Sequence, residues 1–290
     1  MPPAFVPSKS PRMAKSAPTD PYRGKTVLIT GASSGIGEEA AKQLAARGAR
    51  LLLVARREDE LRRVQQAIGA AGGSARIYPC NLSEPAEVDA LVARLRQELV
   101  SLDVLVNNAG RSIRRPLLDS LDRPHDFERT IQLNYLAVVR LTLGLLPLLL
   151  AQGEGQVINI SSVAALMTTP RFAAYQASKA ALDAFSRSLR IELAEKGLHV
   201  TSINYPLVKT AMTAPTAIYK YLPQMEVAAA AAWIVEAIAE RPARRTTALA
   251  LGFQLATVAM PAPALRLLAG FYRRRLEKLR DKLNAAGESA

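Results

Sequence analysis

The stretch TGASSGIGEEAAKQLAARGA, residues 30–49, joins a glycine pattern to a helical one, and it decides the fold. Gly31, Gly35 and Gly37 follow a short β-rich run, and we predict that a helix begins near Ile36. Glycines in such a loop let the backbone turn tightly and approach a pyrophosphate, whose charge the helix N-terminus stabilises. An ordinary strand-to-helix turn also carries glycines, but the position directly after the first strand favours a dinucleotide site.

Outward from this loop, short apolar runs alternate with helix-length segments rich in Ala, Leu, Glu and Arg. Such runs, separated by helices, predict a parallel sheet that is covered on both faces. The predicted fold is a single α/β, Rossmann-type, doubly wound parallel sheet with helices on both faces, and ligands are expected at the carboxyl ends of its strands. The predicted strands are Thr26–Thr30, Ala49–Ala55, Ala75–Cys80, Val104–Asn107, Gln156–Ser161 and Val200–Asn204.

The 290-residue chain has a net charge of +13, and the basic excess is concentrated towards its two ends. This charge fits nucleic acid, an anionic membrane or phosphorylated ligands. No aromatic and basic stacking pattern accompanies it, so we expect no nucleic acid. We predict a disordered basic arm over residues 1–21, one nucleotide-binding domain over 22–260 and a basic amphipathic helix over 261–290. The single Cys80 is expected to be a buried packing residue in a reducing, cytoplasmic compartment.

The segment LLLVARRED, residues 51–59, bears on which dinucleotide binds. About twenty residues beyond the glycine loop, an acidic side chain normally contacts the adenosine ribose, whereas arginine meets a 2′-phosphate. Here Arg56 and Arg57 follow the strand, and the acids Glu58 and Asp59 come later. The pattern predicts NADP(H) rather than NAD(H). The alternative is that both arginines form only a solvated helix start.

The segment AAYQASKAALDAF, residues 173–185, places Tyr175 and Lys179 one helical turn apart. Their side chains therefore share a face of the helix. An ammonium near a phenol lowers the pKa of the phenol towards neutral pH, which suits proton donation to a developing alkoxide. Thirteen residues earlier, Ser162 closes a strand and is placed to hydrogen-bond a reacting carbonyl oxygen.

With the glycine loop and NNAG (residues 107–110), these motifs resemble those of the short-chain dehydrogenase/reductase superfamily over residues 24–245. The resemblance implies a catalytic tetrad of Asn134, Ser162, Tyr175 and Lys179. Tyr175 would be the general acid or base, and Ser162 would polarise the carbonyl. Lys179 would bind the nicotinamide ribose and lower the pKa of Tyr175, while Asn134 would hold a water in the proton relay.

The resemblance also assigns the cofactor site. It places Asn107 towards the adenine side of the sheet and Thr210 near the carboxamide. Two positions depart from the family pattern, since Asn81 stands where an acidic residue is usual and Leu207 stands where glycine usually follows proline. The residues expected to bind the cofactor are Gly31, Ser33, Ser34, Gly35, Ile36, Gly37, Arg56, Arg57, Asn81, Leu82, Asn108, Ala109, Gly110, Tyr175, Lys179, Pro206, Val208 and Thr210.

Three further segments resemble one subgroup, the bacterial long-chain fatty acyl-CoA reductases. They are NNAGRSIRRPLLDSLDRPHDFERTIQLNY (residues 107–135), SKAALDAFSRSL (178–189) and YPLVKTAMTAPTAIYKYLP (205–223). The resemblance implies that NADPH reduces a long-chain acyl-CoA thioester to the fatty aldehyde and that CoA is released.

Candidate substrate residues lie in two of these segments. Arg111, Arg114 and Arg115 follow the fourth strand and are candidates to bind the CoA phosphates. The alternative is a salt-bridged helix face, in which they pair with the acids at positions 119, 122 and 126. Residues 213–223, which include Tyr219, are predicted to form a lid over an acyl chain, or else a packed helix.

Other functions remain open at this point. The same tetrad would serve an NADP-dependent reductase or dehydrogenase of a lipid ketone or alcohol. A non-enzymatic, NADP-bound regulatory or scaffold protein is disfavoured, because it need not keep all four tetrad residues. We expect no metal site, and we expect ordinary surface or packing roles for His125 and His199.

The C-terminal segment has a helical apolar stripe with arginines and lysines around it. Such a helix can lie on anionic lipid, so peripheral membrane contact is one prediction, and docking on the domain or a dimer seam is the other. The uncharged segment Thr246–Leu265 is predicted to be buried or interfacial rather than membrane-spanning. The superfamily resemblance implies a homodimer or homotetramer built through the helices with Asn134 and Tyr175. The stripe residues are Leu265, Leu268, Tyr272, Leu276, Leu279 and Leu283.

Overall fold

Seven parallel strands form one sheet in the computed structural model, which describes residues 20–214 and 216–285. The six predicted strands all form, with bounds within one residue of those expected. The seventh was missed because two arginines give no apolar run. The strands are β1 Thr26–Thr30, β2 Arg50–Ala55, β3 Ser74–Pro79, β4 Val104–Asn107, β5 Gln156–Ser162, β6 His199–Tyr205 and β7 Arg244–Arg245.

The strand order is β3-β2-β1-β4-β5-β6-β7, so the chain winds outward from β1 in one direction and from β4 in the other. At such a reversal the loops after the two central strands separate and leave a crevice at their carboxyl ends. The glycine loop follows β1 and the NNAG segment follows β4, so both border that crevice. The predicted doubly wound α/β architecture is confirmed.

Alternating strand residues build a core on each face of the sheet. Val27 and Ile29 face the layer formed by α1, α2 and α7, whereas Leu28 faces α3, α5 and α6. A five-residue π-helical turn, Gln132–Leu136, joins α4 to α5. The helices are α1 Gly35–Ala45, α2 Glu58–Ala70, α3 Pro85–Glu98, α4 Pro124–Ile131, α5 Ala137–Leu150, α6 Ala173–Leu193, α7 Val227–Glu240, α8 Ala248–Ala259 and α9 Pro261–Ala285.

One helical run in the described residues, Pro124–Leu150, is long and apolar enough to cross a membrane by length and composition. Its residues Leu141, Leu145 and Leu149 are buried in the core against the sheet, as in a core helix. The uncharged segment 246–265 is instead divided into α8, of 12 residues, and the start of α9. Most of α8 is exposed, with only Ala250 buried, so the expectation of a buried segment was wrong for its larger part, and an interfacial segment stays a prediction.

The two predicted terminal parts are only partly described. Residues 1–19 of the predicted arm lie outside the described residues. Tyr22 packs against the domain, where its hydroxyl donates to the carbonyl of Val235 at 3.4 Å. At the other end, α9 begins at Pro261, and the division into a domain and a C-terminal helix stays a prediction. The side chains of Tyr272, Leu276, Leu279 and Leu283 lie outside the described part.

Candidate active site

A cavity of about 600 Å³ occupies the crevice at the carboxyl ends of the strands. Its wall is formed by the loops that follow β1, β2, β3, β4, β5 and β6, together with the start of α6. Of the residues expected to bind a cofactor, all but Gly37 line it: Gly31, Ser33, Ser34, Gly35, Ile36, Arg56, Arg57, Asn81, Leu82, Asn108, Ala109, Gly110, Tyr175, Lys179, Pro206, Val208 and Thr210.

The glycine loop is held against the NNAG segment by close backbone contacts. Gly31 has φ +66°, a left-handed conformation that favours glycine. A Cβ at Gly37 would lie 2.4 Å from the Gly31 carbonyl oxygen and 2.6 Å from Asn108 Nδ2. Asn108 Nδ2 itself donates to the Thr30 carbonyl at 2.9 Å. Gly37 therefore packs behind the loop, whereas Gly31 and residues 33–36 line the cavity.

Replacing Gly37 by Ala is expected to destabilise the fold and to weaken nucleotide binding. The added methyl group has no room, and overpacking of this kind costs about 1–3 kcal/mol. Thermal unfolding and a nucleotide titration would measure the two effects. Gly69→Ala is the matched control, because Gly69 lies in α2 with nothing within 4 Å of the added methyl. An unchanged melting temperature in Gly37→Ala would contradict the predicted close contact.

The N-terminus of α1 opens onto the cavity. This helix begins at Gly35, one residue before the predicted start, and the side chain of its N-cap Ser34 makes no capping hydrogen bond. The N–H groups of a first helical turn have no partner within the helix, and they attract anions together with the helix dipole. Thr210 borders this turn, with its Cγ2 3.7 Å from where a Cβ on Gly35 would lie. The arrangement fits a pyrophosphate.

Asn134 lies in the π-helical turn and is fully buried. Its Oδ1 accepts the N–H of Arg111 at 2.8 Å. Its Nδ2 donates to the Arg111 carbonyl at 2.8 Å and to Ser178 Oγ at 2.9 Å. A π-helical turn changes the direction of side chains locally and is often found at functional sites. Here it lets Asn134 tie the segment after NNAG to α6.

Ser162, Tyr175 and Lys179 meet at one end of the cavity, as the motif spacing predicts. Lys179 is buried, and its Nζ donates to the Ile160 carbonyl at 2.7 Å. The same Nζ lies 6.0 Å from the centroid of the Tyr175 ring. Ser162 and Tyr175 interact through their side chains. The phenol is thus flanked by a hydroxyl and an ammonium, a combination suited to acid–base work on a carbonyl oxygen.

Burial dominates the electrostatics of this group. Burial raises the pKa of Tyr175 above its usual value, and the hydrogen bond with Ser162 opposes this only in part. Burial also lowers the pKa of Lys179 to about 8. Among the groups around the phenol, the Ser162 hydroxyl is the one that lowers the pKa of Tyr175. The lowering of that pKa by Lys179 stays a prediction. A phenol that keeps its proton at neutral pH is suited to donating it.

The sequence matches one family model and is similar to several known proteins. The family model for short chain dehydrogenases matches residues 25–218. The chain belongs to the short-chain dehydrogenase family. It is 52% identical over 227 residues to a fatty acyl-CoA reductase of Acinetobacter baylyi, covering 78% of this chain and 77% of that protein. It is 48% identical over 222 residues to a fatty acyl-CoA reductase of Mycobacterium tuberculosis, covering 76% of each.

Solved structures give the same family. A short-chain type dehydrogenase/reductase from Mycobacterium marinum superposes with a TM-score of 0.70 at 26% identity, covering 76% of this chain and 91% of that one. A protein described as a putative NAD(P)-dependent gluconate 5-dehydrogenase from Beutenbergia cavernae, with bound NADP, has a TM-score of 0.62 at 33% identity. The matched region covers 67% of this chain and 76% of the Beutenbergia cavernae protein.

Members of this family are oxidoreductases with a nicotinamide cofactor, and the described cavity fits one. The glycine loop, the uncapped start of α1 and the residues after β2 form a continuous cradle along one side. Asn81 and Leu207, the two residues that depart from the family pattern, both line the cavity. Asn81 accepts the N–H of Ser83 through its Oδ1 at 3.2 Å, and Leu207 presents a side chain where glycine is usual.

Asn107 does not face the cofactor side as expected. It is buried within the sheet, and its Nδ2 donates to Thr142 Oγ1 at 3.1 Å and to Asn159 Oδ1 at 2.8 Å. Because NNAG ends a buried strand, its first asparagine belongs to the sheet and its second to the loop. Asn107 therefore links β4 to β5 and α5, and Asn108 takes the contact with the glycine loop.

The three candidate substrate arginines separate in the structure. Arg111 lines the cavity, whereas Arg114 and Arg115 are not part of its wall. The guanidinium of Arg115 pairs with Asp126 at 3.2 Å, so the salt-bridge interpretation holds for this residue. Tyr219 lines the cavity from the short 3-10 helix Ala217–Tyr221 within the predicted lid.

Several cavity residues were missed by sequence reasoning. The aromatic ring of Phe172 packs edge-on against Tyr175, with centroids 6.2 Å apart. Its position directly before α6 and three residues before Tyr175 was an available signal, since it places the ring near the first helical turn. Leu133, Val163 and Met212 also line the cavity and had no such signal. Within residues 20–214 and 216–285, no group of three His, Cys, Asp or Glu could hold a metal ion.

Proposed function

We propose that this protein is an NADPH-dependent reductase that converts a long-chain fatty acyl-CoA to the fatty aldehyde and free CoA. The observation that supports this most strongly is the high identity to two fatty acyl-CoA reductases across more than three quarters of the chain. The cavity is consistent with it. Phe172 packs against Tyr175, Val163 follows Ser162 in the chain, and both line the cavity together with Leu133, so an acyl chain could be buried beside the acid.

In this proposal, NADPH supplies a hydride to the thioester carbonyl carbon. Ser162 and Tyr175 donate hydrogen bonds to the carbonyl oxygen, where negative charge develops. Tyr175 then transfers its proton to that oxygen, and Lys179 stabilises the phenolate that remains. Asn134 keeps the segment after NNAG at a fixed distance from α6 through its three hydrogen bonds.

The product of this step is a hemithioacetal, and its collapse completes the reaction. The oxygen gives a proton back to Tyr175 while the carbon–sulfur bond breaks and the electron pair leaves with the sulfur. The carbonyl re-forms as the aldehyde, and the CoA thiolate takes up a proton. One thioester, one NADPH and one proton therefore give one aldehyde, one thiol and one NADP⁺.

NADPH rather than NADH is proposed because Arg56 and Arg57 line the cavity at the carboxyl end of β2. Nη1 of Arg57 lies 3.8 Å from Oε1 of Glu60, so Arg57 already has a carboxylate partner. Arg56 is therefore the better candidate to bind the 2′-phosphate. Arg56→Asp is expected to raise the KM for NADPH at least about tenfold and to lower the KM for NADH, because a charge-assisted hydrogen bond is lost and a ribose acceptor is gained.

The control for this change is Arg62→Asp. Arg62 is exposed on α2, six residues after Arg56 in the chain, pairs with Glu58 and does not line the cavity. Steady-state kinetics with both nucleotides would measure the effect. Equal shifts in the two variants would show that the arginine acts through overall charge, and the 2′-phosphate contact would be rejected.

The function is tested by following NADPH oxidation and thiol release together with palmitoyl-CoA as the substrate. The proposal predicts one thiol per NADPH consumed and little reaction with NADH. A long-chain ketone serves as the parallel control, since its reduction releases no thiol. If NADPH were consumed with the ketone and never with palmitoyl-CoA, the protein would be a lipid ketone reductase instead.

We further propose that this protein is cytoplasmic and that it contacts an anionic membrane peripherally through α8 and α9. Leu255 and Val258 on α8 and Phe271 on α9 are exposed, and the exposed Arg273 and Arg274 follow Phe271 in the chain. The helix α9 contacts the 3-10 helix that bears Tyr219, so the surface adjoins the proposed acyl site. Sedimentation with anionic liposomes would test this, and equal partitioning of a chain truncated after residue 247 would refute it.

A homodimer or homotetramer is proposed through the helices with Asn134 and Tyr175. Leu143 on α5 and Ile191 on α6 are exposed, and such a contact would bury them. Light scattering would give the mass in solution. A monomer at micromolar concentration would refute this proposal.

A further inference from the structure

Asp126 lies at the start of α4, where three arginines surround its buried carboxylate. Its side chain is only 4% exposed. Nε of Arg115 lies 3.2 Å and Nε of Arg123 3.1 Å from Oδ2, and Arg129 Nη2 bonds to Oδ1. His125 Nε2 lies 3.5 Å from the same Oδ1. We call Asp126 with Arg115, Arg123 and Arg129 the Asp126 cluster.

The positive charge of the arginines in this cluster exceeds the negative charge of the Asp126 carboxylate. The hydrogen bonds from Arg123 and Arg129 lower the pKa of Asp126 to about 2, so it is ionised at neutral pH. Three guanidinium charges against one carboxylate charge leave an excess of two positive charges. The arginine side chains stay 34% to 50% exposed, and each guanidinium has five N–H donors, most of which Asp126 cannot use.

The position of the cluster relative to the cavity suggests its ligand. Arg111 and Ser112 line the cavity, and the chain then runs outward to Arg115. The N–H of Arg115 donates to the carbonyl of Arg171 at 2.7 Å, and the next residue, Phe172, lines the cavity beside Tyr175. The cluster therefore flanks the cavity on the side of β4 and β5. Arg56 and Arg57 lie beyond β1, on the other side of the crevice.

We propose that the Asp126 cluster binds the phosphorylated nucleotide end of the acyl-CoA substrate while the thioester lies against Ser162 and Tyr175. This inference rests on the proposed function and assigns two residues, Arg123 and Arg129, that neither the motifs nor the relatives indicate. Guanidinium groups bind phosphate through paired, charge-assisted hydrogen bonds, and Asp126 holds these groups in place before the ligand arrives. Asp126 and its partner Arg115 are thus positioning residues, and Arg123 and Arg129 are the ligand contacts.

The direct test is binding of adenosine 3′,5′-bisphosphate to protein saturated with NADPH, which keeps the probe out of the cofactor site. Titration calorimetry would compare wild type with Arg123→Gln/Arg129→Gln. The double variant should bind at least about tenfold more weakly, since it loses charged hydrogen bonds to phosphate.

The matched control is Arg187→Gln. Arg187 is 53% exposed and pairs at 2.6 Å with Asp183, whose side chain is also 4% exposed and is held by a second arginine, Arg244. Arg187 does not line the cavity. Equal weakening in the control and in the double variant would overturn the assignment, as would unchanged binding in the double variant.

A kinetic experiment separates binding of the nucleotide end from a purely structural role. Palmitoyl-CoA and palmitoyl-pantetheine contain the same acyl thioester, but only the first has the nucleotide. The double variant should raise the KM for palmitoyl-CoA about tenfold and leave kcat, the KM for palmitoyl-pantetheine and the KM for NADPH unchanged. A parallel change with both thioesters would show that the cluster only supports the loop, and the proposal would be rejected.

The two proposals fail in different ways. If the proposed function is wrong, neither thioester is reduced, and the calorimetric comparison still reports on the cluster. If only the cluster assignment is wrong, both thioesters are reduced, and the double variant has the same effect on the KM for each of them. A cluster that serves a contact between two copies of the chain would change the mass by light scattering in the double variant without changing nucleotide binding, and that result also overturns the assignment.

Discussion

Replacing Tyr175 by Phe is expected to lower kcat by about 10²–10⁴-fold, the usual contribution of a positioned general acid. The change removes one hydroxyl and leaves the ring, which packs edge-on against Phe172. The carbonyl oxygen then keeps the hydrogen bond from Ser162 but loses its general acid. NADPH affinity should stay within about twofold, because the glycine loop and the arginines after β2 are untouched.

Tyr78→Phe is the matched control for this variant. Tyr78 is also buried, its hydroxyl donates to Glu98 at 2.7 Å, and neither residue lines the cavity. It should keep its turnover number, so a loss of activity seen only in Tyr175→Phe is not a general effect of deleting a buried phenol. Substantial turnover by Tyr175→Phe, with nucleotide binding intact, would remove Tyr175 from the mechanism.

Lys179→Met is expected to lower kcat/KM by about 10²-fold or more and to weaken NADPH binding. Methionine keeps much of the buried volume but loses the ammonium that stabilises the Tyr175 phenolate, and it loses the hydrogen bond to Ile160. Lys25→Met is the control, since the ammonium of Lys25 pairs with Asp103 at 2.8 Å outside the cavity. Kinetics and a nucleotide titration on both variants would separate the catalytic loss from a general effect of charge.

The pH profile gives an independent readout of the same residue. Burial lowers the pKa of Lys179 to about 8, so it is charged below that pH and neutral above it. The kcat/KM for reduction should therefore be steady near pH 7 and fall above about pH 8. Because the pKa of Tyr175 is raised, the phenol is not the group that titrates there. A wild-type profile that stays flat to pH 10 would contradict this assignment.

Much of the fold and of the tetrad could be predicted because the signals are local. Six strands followed from apolar runs bounded by turn residues, and the positions of Ser162, Tyr175 and Lys179 followed from one strand end and one helical turn. The strand β7 could not be predicted, because Arg244 and Arg245 join the sheet only by pairing with β6. That pairing depends on the path of α7 and not on local propensity.

The electrostatic expectations were less reliable because they depend on burial. Sequence spacing places Lys179 near Tyr175, but it does not show that both groups are desolvated, and desolvation raises the pKa of the phenol. Likewise, the charges after β4 allowed either ligand contacts or salt bridges. The fold decides this residue by residue, since Arg111 reaches the cavity while Arg115 turns to Asp126.

The most direct test of the central claim is to trace the hydride. The protein would be incubated with palmitoyl-CoA and NADPH deuterated at the transferring position of nicotinamide C4, with an aldehyde trap present, and the product would be examined by mass spectrometry. The account predicts trapped palmitaldehyde with one deuterium at C1 and one CoA thiol released for each aldehyde. Recovery of unchanged palmitoyl-CoA, or of an aldehyde without deuterium, would contradict hydride transfer to the thioester carbon.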